Sequence, residues 1–213
     1  VKQKTNDFLM LDSGCCFGEA RLSDPNFQDL MDFIDIYDLP DYDLSPYKCL
    51  VITGLIDQEF LYRHKEKIRE FLDMKKVLVF GGNLLLDWLP GGSSFVPKTI
   101  RNHNDYDVSI TKPHPIFEGV KTEDMTYNKG VAGFFARGHH PLPEGAEVLL
   151  NLPGGEPITY IDRHSTNGTI LVHAGGDLFG YNSPVKSTGR IAFQLTQWVR
   201  DEYSQLQERS VQV

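Results

Sequence analysis

The first eighty residues alternate short apolar runs with segments of helical spacing. Phe8–Leu11 is an apolar run closed by Asp12-Ser13-Gly14, which predicts a first strand. Asp24 suits a helix N-cap and Pro25 the first helical position, with Leu30, Phe33 and Ile34 as the apolar side. A short second strand overlaps Ile34–Leu39. Cys49–Thr53 is a continuous apolar and β-branched run, the pattern of a strand buried on both faces, and Gly54 ends it. Asp57 can cap one helix over Gln58–Asp73. There Phe60, Leu61, His64, Ile68, Phe71 and Leu72 recur at helical spacing, and Arg63, Glu66, Lys67 and Glu70 form a solvated face. Val77–Phe80 is the next strand. It runs into Gly81-Gly82-Asn83, followed by a helix start or a further buried segment at Leu84–Leu86. This alternation predicts a parallel sheet with helices on both faces.

The second half is patterned differently. Gly91–Asn104 reads as a long loop, Tyr106–Ile110 as a strand, and Pro113–Val120 as a tight segment bounded by proline. Tyr127–Arg137 has no helical period and reads as strand or loop. Val148–Leu150, Ile158–Ile161 and Thr169–His173 are three short strands. Pro153-Gly154-Gly155 and Thr166-Asn167-Gly168 supply turns between them, the latter a hairpin signal. Gly189–Leu206 is the closing helix, capped by Ser187 or Thr188, with Ile191, Leu195, Trp198, Val199 and Leu206 on one side. The polar tail Gln207–Val213 is expected to fray. No repeat and no linker divides the chain, so residues 1–213 are expected to form a single domain.

Composition narrows the function classes. The 213 residues are 40% hydrophobic and 23% charged, an ordinary globular balance with enough chain for one sizeable core. The net charge of −8 comes without a basic cluster, which argues against a nucleic-acid partner. No apolar run approaches a membrane-spanning length and no signal peptide is visible, so no membrane partner and a cytoplasmic location are expected. The chain begins at Val1 without Met, which weakens the absence of a signal as an argument. Cys15, Cys16 and Cys49 are odd in number, against a disulfide framework, and Cys49 fits a small core hydrophobe.

Chemistry-bearing residues gather at the ends of the expected strands. Cys15 and Cys16 follow the first strand within the loop Gly14–Glu19. Either is a candidate nucleophile or redox thiol, or else an inert packed group, since no base lies nearby in sequence. The turn Gly81-Gly82-Asn83 either offers backbone N–H groups to an anion or carbonyl, or only permits close packing. No Ser or Cys lies between Val77 and Leu86 to act as an elbow nucleophile. Arg137 is a candidate anion clamp and His139 a candidate base, with His140 read as part of a solvated loop before Pro141. His173 and Asp177, separated by Ala174-Gly175-Gly176, form a candidate catalytic pair. Alternatively, Asp177 caps the next turn and His173 is a hydrogen-bonded buried histidine. No HExxH or CxxC spacing supports a metal, and no cofactor is expected. Phe95, Tyr106, Tyr127, Phe134, Phe135, Phe179 and Tyr181 concentrate aromatic surface in the second half, for a pocket or for an oligomer interface.

Three stretches together resemble the class I glutamine amidotransferase-like superfamily, in particular its ThuA-like and other non-amidotransferase branches. They are Val77–Asn83, the segment His114-Pro115-Ile116-Phe117-Glu118-Gly119-Val120, and Gly168–Asp177 ahead of the last helix. The resemblance implies a flavodoxin-like, doubly wound, mostly parallel sheet with helices on both faces and an added antiparallel portion in the second half. It also implies a departure. Amidotransferases carry a Cys at the elbow and a His-x-Glu pair late in the chain, whereas here the elbow is Phe80-Gly81-Gly82-Asn83 and His173 is followed by Ala174-Gly175. Glutamine hydrolysis is therefore not expected. Two readings remain. One is a non-catalytic domain for ligand binding or protein assembly, as a homo-oligomer or with another protein subunit. Its ligand contacts are Cys15, Gly81, Gly82, Asn83, Arg137, Gly175 and Gly176. The other is a hydrolase or isomerase of a small sugar-like or phosphorylated metabolite, using His139, His173 and Asp177, which requires those side chains to converge.

Overall fold

A computed structural model describes residues 6–16 and 21–211. Of the residues singled out above, Phe17, Gly18 and Glu19 of the first loop and Gln212 and Val213 of the tail lie outside it. The first half contributes β1 (Phe8–Asp12), α1 (Pro25–Gln28), β2 (Met31–Asp35), β3 (Cys49–Thr53), α2 (Gln58–Arg63), α3 (Lys65–Asp73) and β4 (Val77–Gly81). The second half contributes short strands β5 (Val96–Pro97) and β6 (Ser109–Ile110), α4 (Thr122–Thr126), β7 (Tyr127–Asn128), β8 (Val131–Ala132) and β9 (Gly138–His139). It then adds β10 (Glu147–Asn151), β11 (Pro157–Asp162), β12 (Thr169–His173) and α5 (Ile191–Val211).

The main sheet has the order β2-β1-β3-β4-β12-β11-β10-β6. The first five strands are mutually parallel and the last three are antiparallel. This is the doubly wound architecture with an added antiparallel part. The central strands are continuous apolar runs because both faces are covered. Phe8, Met10, Val51, Val79 and Leu171 face a core with Phe27 of α1 and Ile191, Leu195 and Val199 of α5. Leu9, Leu11, Leu50, Ile52, Leu78, Phe80, Ile170 and Val172 face Leu61 of α2 and Ile68, Phe71 and Leu72 of α3.

Several expected boundaries move, each for a physical reason. The helix opened by Pro25 stops at Gln28, because Phe33 and Ile34 are drawn into β2, where Met31 pairs with Phe8 and Ile34 with Leu11. Pairing overrides local propensity here. The single helix expected over Gln58–Asp73 is two, broken at His64, which leaves helical geometry and sets its ring on Phe60. Tyr106–Ile110 is mostly not a strand. His103–Tyr106 forms a 3-10 turn closed by an Asn102–Asp105 capping box, and only Ser109–Ile110 pairs. No helix follows β4. Leu84 N–H donates to His140 Nε2 at 3.0 Å, and Leu85 N–H and Trp88 Nε1–H donate to Gln58 Oε1, so side chains take up donors that a helical turn would leave free. Leu84, Trp88 and Leu89 are buried and Leu85 is exposed.

The closing helix begins at Ile191, after a 3-10 turn at Ser187–Arg190. Ser187 does not cap it; its N–H and hydroxyl both donate to Asp124. The helix runs on to Val211, into the stretch expected to fray, and Gln207 Nε2 donates to the Lys75 carbonyl at 2.9 Å. The His114–Val120 segment is a packing motif. His114 Nδ1 caps a turn at Pro115–Phe117, and Gln194 of α5 donates to the Ile116 carbonyl at 2.8 Å.

Candidate functional site at the carboxyl edge of the sheet

The parallel strands end along one edge, with Thr53 opposite Gly81 and Gly81 opposite His173. At that edge lies a crevice of about 520 Å³. Asp12, Ser13 and Cys15 line it from the end of β1, Thr53, Gly54 and Leu55 from the end of β3, and Gly175–Asp177 from the end of β12. Arg21, Asp24 and Phe33 complete the polar and aromatic wall. In the strand order 2-1-3, the chain leaves β1 toward β2 on one side and β3 lies on the other. The crevice therefore opens at the topological switch point, where open α/β sheets hold ligands.

The polar groups in the wall are held in place. Asp12 Oδ1 accepts from Gly14 N–H at 3.0 Å, and the Ser13 hydroxyl donates to Cys15 Sγ at 3.0 Å. Asp24 caps α1 through Asn26 N–H at 2.9 Å. Asp177 Oδ1 accepts from Phe179 N–H, while Oδ2 lies 3.0 Å from Arg21 Nη2. The ion pair is close but out of hydrogen-bond alignment, so that oxygen has no hydrogen-bond donor. The Asp177 side chain is 7% exposed, and burial pushes its carboxyl pKa up against the pull of Arg21 and of Phe179 N–H. Arg21 also stacks over the Phe27 ring at 4.7 Å, and Gly180 leaves space for its guanidinium.

The candidates drawn from the sequence separate into two groups. Cys15, Gly175, Gly176 and Asp177 line the crevice. Gly81 and Gly82 underlie it, but as close-packed backbone. A Cβ on Gly82 would sit 2.8 Å from Gly54 Cα, and one on Gly81 would sit 3.1 Å from Asp177 Cα. Gly82 N–H already donates to the His173 carbonyl at 3.0 Å, so it is not offered to an anion. Asn83 is exposed, and its carbonyl accepts from Gln58 Nε2.

His173 is fully buried behind Gly175. Its Nδ1 meets the Thr159 hydroxyl at 2.8 Å and its Nε2 the Phe135 carbonyl at 3.1 Å. Burial lowers its pKa to about 3. Arg137 is exposed and donates to the Gly133 carbonyl. His139 sits on β9 against Val96. The three groups His139, His173 and Asp177 are thus not assembled at one cavity. The alternative reading of the pair fits the geometry: Asp177 caps the turn Leu178–Gly180, and His173 is a buried, hydrogen-bonded histidine. His140 is not in a solvated loop. It is 1% exposed, burial lowers its pKa to about 4, and it fastens the segment after β4. Among the described aromatics Phe33 lines the crevice, while Phe135 and Tyr181 pack on each other behind it.

Sequence reasoning missed Asp12, Ser13, Asp24, Thr53, Gly54 and Arg21. Asp12, Ser13, Thr53 and Gly54 were findable, since each ends or follows a predicted parallel strand. Arg21 had no local signal, because its partner Asp177 is remote in sequence. Among the described residues no cluster of three or more His, Cys, Asp or Glu is arranged to hold a metal. No helix among them is long and apolar enough to cross a membrane.

No family model and no curated protein sequence matches the chain. Solved structures do. A proposed GMP synthase subunit from Thermoplasma acidophilum superposes with a TM-score of 0.60 at 12% identity, over 97% of this chain and 99% of that one. The two chains share a fold, which here is the doubly wound sheet with its added antiparallel part. A cytoplasmic protein from Salmonella typhimurium superposes with a TM-score of 0.50 at 14% identity, over 79% of this chain and 80% of that one. At such identities the likeness of this chain to either protein extends to fold alone.

Proposed function

We propose that this chain is an amidotransferase-like domain that does not hydrolyse glutamine and that binds a small polar molecule in the crevice between the ends of β1 and β3. The observation that carries the reading is the open crevice at the switch point, walled by the Arg21–Asp177 ion pair. The elbow supports it from the other side. Gly81 and Gly82 carry no nucleophile, no helix follows them, and both ring nitrogens of His173 are engaged. Within the fold we place the chain with the ThuA-like, non-amidotransferase branches, on the strength of the His114–Val120 and Gly168–Asp177 stretches.

Gly176 offers a clean test. A Cβ there meets nothing within 4 Å, so Gly176→Phe can fill the crevice without disturbing the sheet. A library of small polar metabolites is screened by thermal shift against both proteins. A true ligand at 100 times its Kd stabilises by about 2.7 kcal/mol, which is roughly 5–11 °C in a chain of this length, and leaves Gly176→Phe unmoved. Hits that shift both proteins equally refute the crevice as the site.

Assembly is a second reading, favoured by Val185 and Phe193, which are 87% and 76% exposed, Phe193 beside a further apolar groove along α5. Sedimentation of wild type and Phe193→Ser tests it. A dimer weakened by the substitution supports assembly through this face, and a monomer in both refutes it.

A further inference from the structure

The crevice wall also specifies the charge of what enters, an inference that rests on the crevice being a ligand site. Three carboxylates, Asp12, Asp24 and Asp177, face one guanidinium, Arg21. That guanidinium is already committed, at 3.0 Å from Asp177 and stacked on Phe27. An anionic ligand would have to break the Arg21–Asp177 pair and then sit among two further carboxylates. Like charges at such range cost affinity and slow encounter. A neutral acceptor-rich ligand would leave the excess of carboxylates over guanidinium in the wall without a counter-charge. A donor with positive charge satisfies both conditions. The wall also carries apolar surface, Met10, Leu11, Phe33 and the exposed Leu55, beside the hydroxyls of Ser13 and Thr53. Leu55 holds φ at +63°, a conformation uncommon for a branched side chain, at the mouth of the same crevice.

We infer that the crevice takes a small organic amine, its ammonium directed to the acidic wall at Asp177 and Asp12 and its apolar body along Met10, Phe33 and Leu55. The charge of the whole chain, −8, adds a favourable long-range field for such a ligand.

Three probes of nearly one shape separate charge from shape: phenethylamine, phenethyl alcohol and 3-phenylpropionate. Each is titrated into the native, isotopically labelled chain while the amide resonances of Ser13, Thr53, Gly175 and Gly176 are followed. Phenethylamine is expected to move these amides and to bind at least about tenfold more tightly than 3-phenylpropionate, with the advantage shrinking as salt is raised. Asp177→Asn is expected to remove most of the preference. Should that variant unfold, the comparison of the three probes on the native chain decides alone. If 3-phenylpropionate or the alcohol binds the same amides as tightly as the amine, the cation inference is overturned while the crevice stands as a site. If no probe moves them at about 10 mM, the cation inference is overturned as well, and the metabolite screen against Gly176→Phe judges the crevice independently.

Discussion

Two adjacent glycines at the end of β12 make opposite predictions for the same substitution. A Cβ on Gly175 would lie 1.9 Å from the Phe135 carbonyl oxygen and 2.6 Å from His173 Nε2. Neither neighbour is the free end of a flexible chain. The carbonyl belongs to buried backbone, and the imidazole is held at its other nitrogen by Thr159. Gly175→Ala must therefore part the His173–Phe135 hydrogen bond and shift packed backbone. An unsatisfied buried polar pair costs about 1–3 kcal/mol, and overpacking about 1–3 kcal/mol more. The sum, about 2–6 kcal/mol, lowers Tm by roughly 4–24 °C in a chain of this size. Gly176→Ala meets nothing within 4 Å and needs no left-handed backbone. It should be neutral or more stable by about 0.4–1 kcal/mol, through the entropy of the unfolded chain. Urea melts of both variants beside wild type provide the assay, with m-values checked for two-state behaviour. A Gly175→Ala protein that melts at the wild-type midpoint would refute the locked placement of His173 behind Gly175.

Cys49 is fully buried with its thiol pKa pushed up by that burial, whereas Cys16 is exposed and Cys15 lines the crevice. Ellman's reagent should therefore label Cys15 and Cys16 in the native chain and Cys49 only on unfolding, and Gly176→Phe should slow one of the two accessible thiols; a fast third thiol would contradict the burial. Burial alone would raise the pKa of Glu202, but hydrogen bonds from Arg163 at 2.7 and 3.0 Å and from Thr169 at 2.8 Å bring it below the usual value. Glu202→Gln should cost about 3 kcal/mol by urea melt, because it strands part of a buried ion pair, and a loss under about 1 kcal/mol would count against that network. His173 and His140 stay neutral in the folded protein, with pKa lowered to about 3 and about 4, while unfolded histidine titrates near about 6.5. Below that value the unfolded chain binds more protons, so their contribution is present above about pH 6.5 and stability should fall toward about pH 5 by up to 1.4 kcal/mol per histidine per pH unit. Asp177, whose pKa is raised by burial, works in the opposite sense and offsets part of one histidine's effect at most, since two rings are buried. A urea midpoint that holds steady or rises from about pH 6.5 to about pH 5 would contradict the burial of both rings.

The parallel half of the sheet was legible because its strands are buried on both faces and read as unbroken apolar runs. Cys49–Thr53 and Val77–Phe80 needed no context to be recognised. β2 was less legible, because Phe33 and Ile34 also fit the apolar side of a helix, and only pairing with β1 decides between them. The sequence leaves the segment after β4 open between a helix start and a further buried segment for a related reason. The groups that hold it, Gln58 and His140, lie far from it in sequence. The absence of an elbow nucleophile was legible outright, since it concerns residue identity. Arg21 in the crevice wall was not, because its pairing with Asp177 joins positions on different elements and carries no spacing that marks it. The tail shows the converse error: Gln207–Val213 looks polar enough to fray, yet Gln207 is anchored on Lys75.

The central claim of the proposed function is that the chain does not hydrolyse glutamine and that its crevice binds a small molecule instead. Cys15 is a thiol in that crevice, so the claim is exposed to one direct measurement: release of ammonia from L-glutamine by the native chain, with Cys15→Ser beside it. The account predicts no release above the protein-free rate and no difference between the two proteins. Protein-dependent release that disappears in Cys15→Ser would contradict it, and would mean that the crevice performs the chemistry the elbow lacks.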